Sequence, residues 1–217
     1  RVKSGDVVIE LHGLARSILS GERLALNFMQ RMSGIATRTA EVVQILEGTD
    51  TQVLDTRKTT PGLRGFEKWA VSIGGGVNHR MGLYDMILLK DNHVDYAGGM
   101  TEALHKVAEY QKNRDDALPV LPLVIETRSF QEIEDAIAAS QKAEIVIERI
   151  LLDNFGPEKV AEAVESYGHL VTLEASGGIT PENVNEYGET GVDFVSMGYM
   201  THSVKSLDLS LKSTPNV

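Results

Sequence analysis

Three clusters of charged and ring side chains stand between residues 54 and 93, each at what reads as the end of a backbone element. They are Asp55-Thr56-Arg57-Lys58-Thr59-Thr60-Pro61-Gly62, then Gly74-Gly75-Gly76-Val77-Asn78-His79-Arg80, then Leu88-Leu89-Lys90-Asp91-Asn92-His93. From Arg57 to Lys90 there are six Lys and Arg residues (57, 58, 64, 68, 80 and 90) against two acids (Glu67 and Asp85), an excess of four in a chain whose formal net charge is -10. A positive site concentrated within an acidic chain suits a small anionic ligand, whereas nucleic-acid binders spread a basic face over the domain. For any one of these cations, a solvated surface charge is the ordinary reading. The paired Arg57-Lys58 and His79-Arg80, the triple glycine, and a Lys directly after the apolar run Met86-Ile87-Leu88-Leu89 favour a bound anion, because half-buried cations need partners.

Two further groups complete a possible ligand set. Glu126 and Asp153 end successive apolar runs, so both carboxylates can face one Mg²⁺ directly or through its waters, with a diphosphate supplying the remaining oxygens. Asp153-Asn154 can equally cap the helix that follows. Glu174-Ala175-Ser176-Gly177-Gly178-Ile179-Thr180-Pro181 reads as a strand end, a glycine turn and a helix start with Thr180 as N-cap and Pro181 at the first helical position. That geometry fits a phosphate, and Met197-Gly198-Tyr199 supplies a second small-residue loop. Two Arg forks (Arg57, Arg80) and a His79 imidazolium match a planar dicarboxylate, with Lys58 and Lys90 beside them. Lys90 can alternatively contact diphosphate. His93 is expected to order its loop by hydrogen bonding, and His12, His105 and His169 to be structural or surface residues.

The elements that must hold these groups follow a repeating plan. Short β-prone runs at Gln52-Val53-Leu54, Met86 to Leu89, Leu123-Val124-Ile125, Ile150-Leu151-Leu152, Val171-Thr172-Leu173 and Phe194-Val195-Ser196 each end in a polar residue. Amphipathic segments such as Phe130 to Ala139 and Glu158 to Tyr167 separate them, which implies βαβ crossovers and a parallel sheet. Six strands with polar endings on one side predict an α/β fold, a parallel (β/α) barrel that is six-stranded and incomplete or open. Upstream, Val7 to Leu11 is β-prone, and Leu14 to Leu46 has helical spacing. The latter reads as two helices joined near Ser33-Gly34, the first beginning after a Ser20-Gly21 break with Glu22-Arg23 near its start.

Composition narrows the class. The 217 residues are 42% hydrophobic with no Cys, which excludes disulfides and thiolate metal sites. No apolar run approaches the roughly 20 residues of a membrane span, and Arg1-Val2-Lys3-Ser4-Gly5 has no signal-peptide core, so the cytoplasm is the default location; with a pI near 5.1, neither nucleic acid nor a membrane is expected as a partner. The absence of an initiating Met suggests that the chain starts inside a larger protein.

In order along the chain, DTRKTTPGLR, GGGVNHRMGLYDMILLKDNH, LLDNF and EASGGI resemble the quinolinate phosphoribosyltransferase family (nicotinate-nucleotide pyrophosphorylase, carboxylating). The resemblance implies Mg²⁺-dependent transfer of phosphoribose from phosphoribosyl diphosphate to quinolinate with decarboxylation, giving nicotinate mononucleotide, diphosphate and CO₂ for NAD biosynthesis. It implies catalytic roles for Lys58, Lys90, Glu126 and Asp153, the two carboxylates also holding the metal, and substrate contacts from Arg23, Thr56, Arg57, His79, Arg80, Ser176, Gly177, Gly178 and Gly198. Arg23, in the GER-x-x-LN pattern, would enter the neighbouring active site of a homodimer. Residues 1–32 would be the remainder of an N-terminal α/β sandwich domain with its linking helix, 33–205 the barrel, and 206–217 a tail. The family's further carboxylate two residues before Glu126 is replaced by Val124, the interval from Glu126 to Asp153 is longer through an insertion near Gln141 to Glu148, and His202 matches the family without a derived role. Rival readings are a molybdenum-transport-associated paralogue sharing the TRK and HR motifs, and a non-catalytic phosphate-sugar binding protein.

Overall fold

The computed structural model describes residues 1–115 and 117–213. Its six strands are β1 (Gln52–Leu54), β2 (Ile87–Leu89), β3 (Leu123–Thr127), β4 (Arg149–Asp153), β5 (Thr172–Ser176) and β6 (Phe194–Ser196), within the expected runs or extending them by a residue or two, except β5, which runs three residues past its expected end and takes Glu174 into the strand. They form one all-parallel sheet in the order β1-β6-β5-β4-β3-β2. Chain order is therefore kept around the curve, with a seam between β1 and β2. A single parallel bridge from Leu54 to Val77 puts the segment carrying Asn78, His79 and Arg80 on the open edge of β1.

Register separates the two faces of the sheet. Val53, Ile125, Ile150, Leu152, Leu173, Ala175 and Val195 belong to the hydrophobic cluster shared with the surrounding helices. Residues of the other parity point to the barrel axis: Glu126, Leu151, Glu174 and Phe194 pair in register, and one step further along the strands Asp153, Ser176, Ser196 and Leu54 do the same. A parallel strand covered on both faces ordinarily reads as continuously apolar. Here the axial face carries charges, so the barrel interior is the place where ligand chemistry is concentrated.

The helices are α1 (Ala15–Ile45), α2 (Arg64–Ile73), α3 (Asp91–Ala97), α4 (Met100–Lys112), α5 (Phe130–Ala143), α6 (Pro157–Tyr167), α7 (Val184–Gly188) and α8 (Tyr199–His202). Contrary to the two-helix expectation, α1 is one uninterrupted helix of 31 residues that passes through both Ser20-Gly21 and Ser33-Gly34. Gly34 does not break it because its missing side chain makes room for the tail: a Cβ there would lie 2.5 Å from the Lys205 carbonyl oxygen. Gln30 Nε2 donates to Leu209 O at 2.9 Å, and Leu207 N to Gln30 O at 3.1 Å, which docks that tail along α1. Gly34→Ala is expected to overpack this contact and cost about 1–3 kcal/mol, a fall in Tm of roughly 2–12 °C for a chain of this size. Calorimetry checks it, and an unchanged Tm would show that the tail yields.

The buried residues of α1 are Gly34, Ile35, Thr39 and Val42, all in its second half, while Leu19 and Leu24 in its first half are each 66% exposed. Val7 to Leu11 is exposed and forms no strand, and none of the described strands pairs with it.

Candidate active site

At the end of β1, Thr56 Oγ1 accepts the Lys58 N–H at 3.1 Å, and Lys58 O accepts the Thr201 hydroxyl at 2.8 Å, so the Arg57-Lys58 turn is tied to itself and to α8. Arg64 braces the same turn through Thr59 Oγ1, Met81 O and Arg57 O. Beneath it Asp55 is fully buried; it accepts from Lys68 Nζ and from the His79 N–H (2.9 Å), and Lys68 Nζ also donates to His79 O at 2.8 Å. Arg31 of α1 donates to buried Glu67 at 2.8 Å, to Thr60 Oγ1 and to Thr201 O, joining α1, α2 and α8.

This corrects the count of available cations. Lys68 is entirely buried against Asp55, and Arg64 is spent on loop atoms, so neither is offered to a ligand. The cations left at the strand ends are Arg57, Lys58, Arg80 and Lys90.

Arg57, Arg80, Lys90 and His93 line one cleft of about 700 Å³ at the seam, with Met86 and Leu88 among its apolar walls. Arg80 is 7% exposed and donates from Nη1 to Met86 O at 3.3 Å. Burial, and then the neighbouring Arg57 charge, push the Arg80 guanidinium below its ordinary pKa, with Asp85 offsetting part of the repulsion. Two guanidinium groups held close with one carboxylate nearby form a receptor for anions. The His79 Nδ1 accepts the Arg80 N–H at 2.7 Å, which leaves Nε2 as the ring nitrogen that faces Glu174.

Lys90 Nζ donates to Glu126 Oε2 at 2.7 Å across the ends of β2 and β3. His93 Nδ1 accepts the Lys90 N–H at 3.0 Å, the loop-ordering bond expected of it. Asp153 lies on the axial face of β4, one side-chain step beyond Leu151, the register partner of Glu126. Its Oδ2 accepts from Asn154 Nδ2 at 2.7 Å. Each carboxylate thus keeps one oxygen outside these bonds. No cluster of three or more His, Asp or Glu able to hold a metal exists among the described residues. Two carboxylates with oxygens to spare fit Mg²⁺, which commonly takes one or two and fills its shell with substrate oxygens and water. Val124 is fully buried and contributes no ligand.

The glycine loops approach from β5 and β6. Gly177 and Gly178 have φ of +98° and +64°, and a Cβ on Gly177 would sit 2.2 Å from Asn154 Oδ1, so that position tolerates only glycine. Asn154 N also donates to Ser176 O at 2.8 Å, which joins the β4 and β5 loops. A Cβ on Gly198 would meet the His202 ring at 2.9 Å and Lys58 Cδ at 3.2 Å. Lys58 therefore belongs with the glycine loops, apart from the Arg57 and Arg80 pair. His202, for which the sequence offers no role, forms the other wall of that passage, its Nδ1 2.6 Å from Ser203 Oγ. The helix expected from Thr180 begins later: Asn183 Oδ1 accepts the Thr180 N–H at 2.8 Å in a turn, and α7 spans only Val184–Gly188. The positive potential at this turn then comes from loop amides rather than from a helix dipole.

Arg23 is exposed on α1, eight residues before Arg31 and so about 12 Å along the axis, and it makes no ion pair or hydrogen bond with the described residues. Sequence reasoning missed Arg149 and gave Glu174 no role. Glu174 is 0% exposed, with Arg149 Nε 2.9 Å and His79 Nε2 3.5 Å from its Oε2. Burial acts to raise the Glu174 pKa, but His79, Arg149 and Ser196 outweigh it and hold the carboxyl below its ordinary value. The available signal was parity: Thr172, Glu174 and Ser176 alternate with Leu173 and Ala175 in a strand buried on both faces.

Residues 35–212 match the model of the quinolinate phosphoribosyl transferase C-terminal domain, and residues 1–33 that of the N-terminal domain. The chain belongs to the quinolinate phosphoribosyltransferase family. It is 45% identical over 210 residues to a probable nicotinate-nucleotide pyrophosphorylase [carboxylating] of Bacillus subtilis, covering 97% of this chain and 68% of that one. It is 44% identical over 211 residues to the chloroplastic nicotinate-nucleotide pyrophosphorylase [carboxylating] of Oryza sativa, of which it spans 56%. Among solved structures, NadC from Streptococcus pyogenes superposes with a TM-score of 0.88 at 41% identity, over 98% of this chain and 70% of that one. The nicotinate-nucleotide pyrophosphorylase of Pyrococcus furiosus, at 19% identity and a TM-score of 0.60, shares the fold. This member of the quinolinate phosphoribosyltransferase family thus covers between about half and two thirds of those relatives' lengths, and its strand-end constellation lies inside the C-terminal domain match.

Proposed function

We propose that this protein transfers the phosphoribosyl group of phosphoribosyl diphosphate to the ring nitrogen of quinolinate and releases CO₂, yielding nicotinate mononucleotide for NAD biosynthesis in the cytoplasm. The observation that carries the reading is the sorting of groups at the carboxyl ends of the strands. Arg57, Arg80 and His79 suit the two ring carboxylates, with Thr56 holding the turn. Ser176, Gly177, Gly178, Gly198 and Lys58 suit the 5′-phosphate, and Lys90, Glu126 and Asp153 suit the diphosphate end.

In the reaction, the pyridine nitrogen attacks C1 of the ribose while the bond from C1 to diphosphate breaks and its electron pair leaves with diphosphate. Arg57 and Arg80 align the ring, converting a weak nucleophile's encounter into an oriented one. Lys58 and Lys90 stand where negative charge is held or develops. Mg²⁺ held by Glu126 and Asp153 would neutralise the leaving diphosphate. The ring nitrogen, now cationic, stabilises the electron pair left on C2 when the adjacent carboxylate departs as CO₂, and that pair takes a proton from solvent. No side-chain nucleophile is required. We further propose a homodimer in which Arg23 reaches the neighbouring site, supported by its exposure beside Leu19 and Leu24 on the uncovered half of α1.

The test is incubation of the purified protein with Mg²⁺, phosphoribosyl diphosphate and quinolinate, with nicotinate as control acceptor. Equal yields of nicotinate mononucleotide, diphosphate and CO₂ from quinolinate, and none from nicotinate, are expected. Quinolinate binding without turnover would favour the non-catalytic reading, and neither binding nor turnover would favour the transport-associated paralogue.

A further inference from the structure

We propose that Glu174 is a positioning residue for the pyridine dicarboxylate, holding the His79 ring from the floor of the barrel while Arg149 supplies its counter-charge. The inference rests on the function proposed above. Glu174 is 0% exposed and its register partners across the axial face are Leu151 and Phe194, so a charge there is costly and a neutral side chain of the same size would pack as well. Arg149, one layer below, lies with its guanidinium 4.7 Å from the centroid of the Phe194 ring and its Nε 2.9 Å from Glu174 Oε2. With Arg149 in place, Glu174 delivers little net negative charge to the anion site above it.

The geometry of His79 gives the pair a purpose. Its N–H is held by Asp55 at 2.9 Å, its C=O by Lys68 at 2.8 Å, and its Nδ1 by the Arg80 N–H at 2.7 Å. Nε2–H is the one loose group of the residue, 3.5 Å from Glu174 Oε2. That separation is too long for a good hydrogen bond and short enough to fix the direction of the ring. The hydrogen can therefore be shared with a substrate carboxylate above while the carboxylate below keeps it aimed. Both Glu174 oxygens and Arg149 Nε are buried without an aligned hydrogen bond from the described residues, so the pair is not saturated by the fold itself. A purely structural ion pair would be expected to satisfy its oxygens.

Glu174→Gln retains shape and removes the charge. It is expected to raise the quinolinate KM by about 10-fold or more, leaving kcat at saturating quinolinate and the phosphoribosyl diphosphate KM within about threefold, the pattern of lost ground-state positioning. Because the single variant strands Arg149, the double variant Glu174→Gln, Arg149→Met is measured beside it, with quinolinate binding read by calorimetry. A raised quinolinate KM in the double variant supports positioning. Return of that KM to within about twofold of wild type would show that Glu174 serves only charge balance, and overturn the inference. A wild-type protein that turns over quinolinate beside an unaltered Glu174→Gln variant sinks this inference alone. If wild type neither binds nor converts quinolinate, the functional reading has failed and the inference falls with it.

Discussion

Lys90→Ala is expected to lower kcat/KM by about 10²-fold or more, with most of the loss in kcat. Lys90 ends β2 at the barrel mouth, its backbone N–H held by His93 and its Nζ 2.7 Å from Glu126 Oε2. The ammonium is 43% exposed while Glu126 is 10% exposed, so the contact costs little to open and the charge can be transferred to a diphosphate when one binds. Removing it takes away a preorganised cation and leaves the Glu126 carboxylate without its partner, which works against an anionic substrate twice over. A near wild-type rate would remove Lys90 from the catalytic set. The same variant tests the shared site: mixed dimers of Lys90→Ala and Arg23→Ala subunits contain one intact site if Arg23 crosses between subunits, and partial recovery of activity is expected. Verified mixed dimers with no recovery would refute the crossing.

Asp55→Asn should produce the largest stability loss. Lys68 is entirely buried, and Asp55 is its one ion-pair partner among the described residues while also accepting the His79 N–H. Breaking a buried pair from one side leaves an uncompensated charge, at a cost of about 3–5 kcal/mol. For a chain of this length that corresponds to a Tm lower by roughly 6–20 °C. The double change Asp55→Leu, Lys68→Met, which removes both charges, is expected to recover much of the Tm. It should still weaken quinolinate binding, because His79 loses both backbone clamps. A single variant that melts with the wild type would mean that water or a shifted backbone reaches Lys68.

The six strands and their polar endings were legible because each follows local rules: a short β-prone run, a polar stop, then an amphipathic helix. Arg57, Lys58, Lys90, Glu126, Asp153 and the glycine turns at 177, 178 and 198 were legible for the same reason, since a strand end in a parallel barrel is a place where side chains meet. The misread places were those where distant chain segments decide. Gly34 looks like a break until the tail at Lys205 is packed against it, and Thr180 looks like an N-cap until Asn183 takes its N–H. Likewise Lys68 looks like one more site cation until α2 turns it under the sheet to Asp55.

By itself, then, the sequence determined the parallel α/β plan, the strand-end location of the chemistry, and the family to which the chain belongs, because periodicity and contiguous motifs are local properties. Tertiary structure alone decided which charges are spent on one another, that His79 turns Nδ1 to the Arg80 N–H and Nε2 to Glu174, and that Arg149 and Glu174 meet beneath it. Those outcomes depend on strand register and on burial, which bring residues 55, 68, 79, 149 and 174 to one axis and determine which charges must be paired once water is removed.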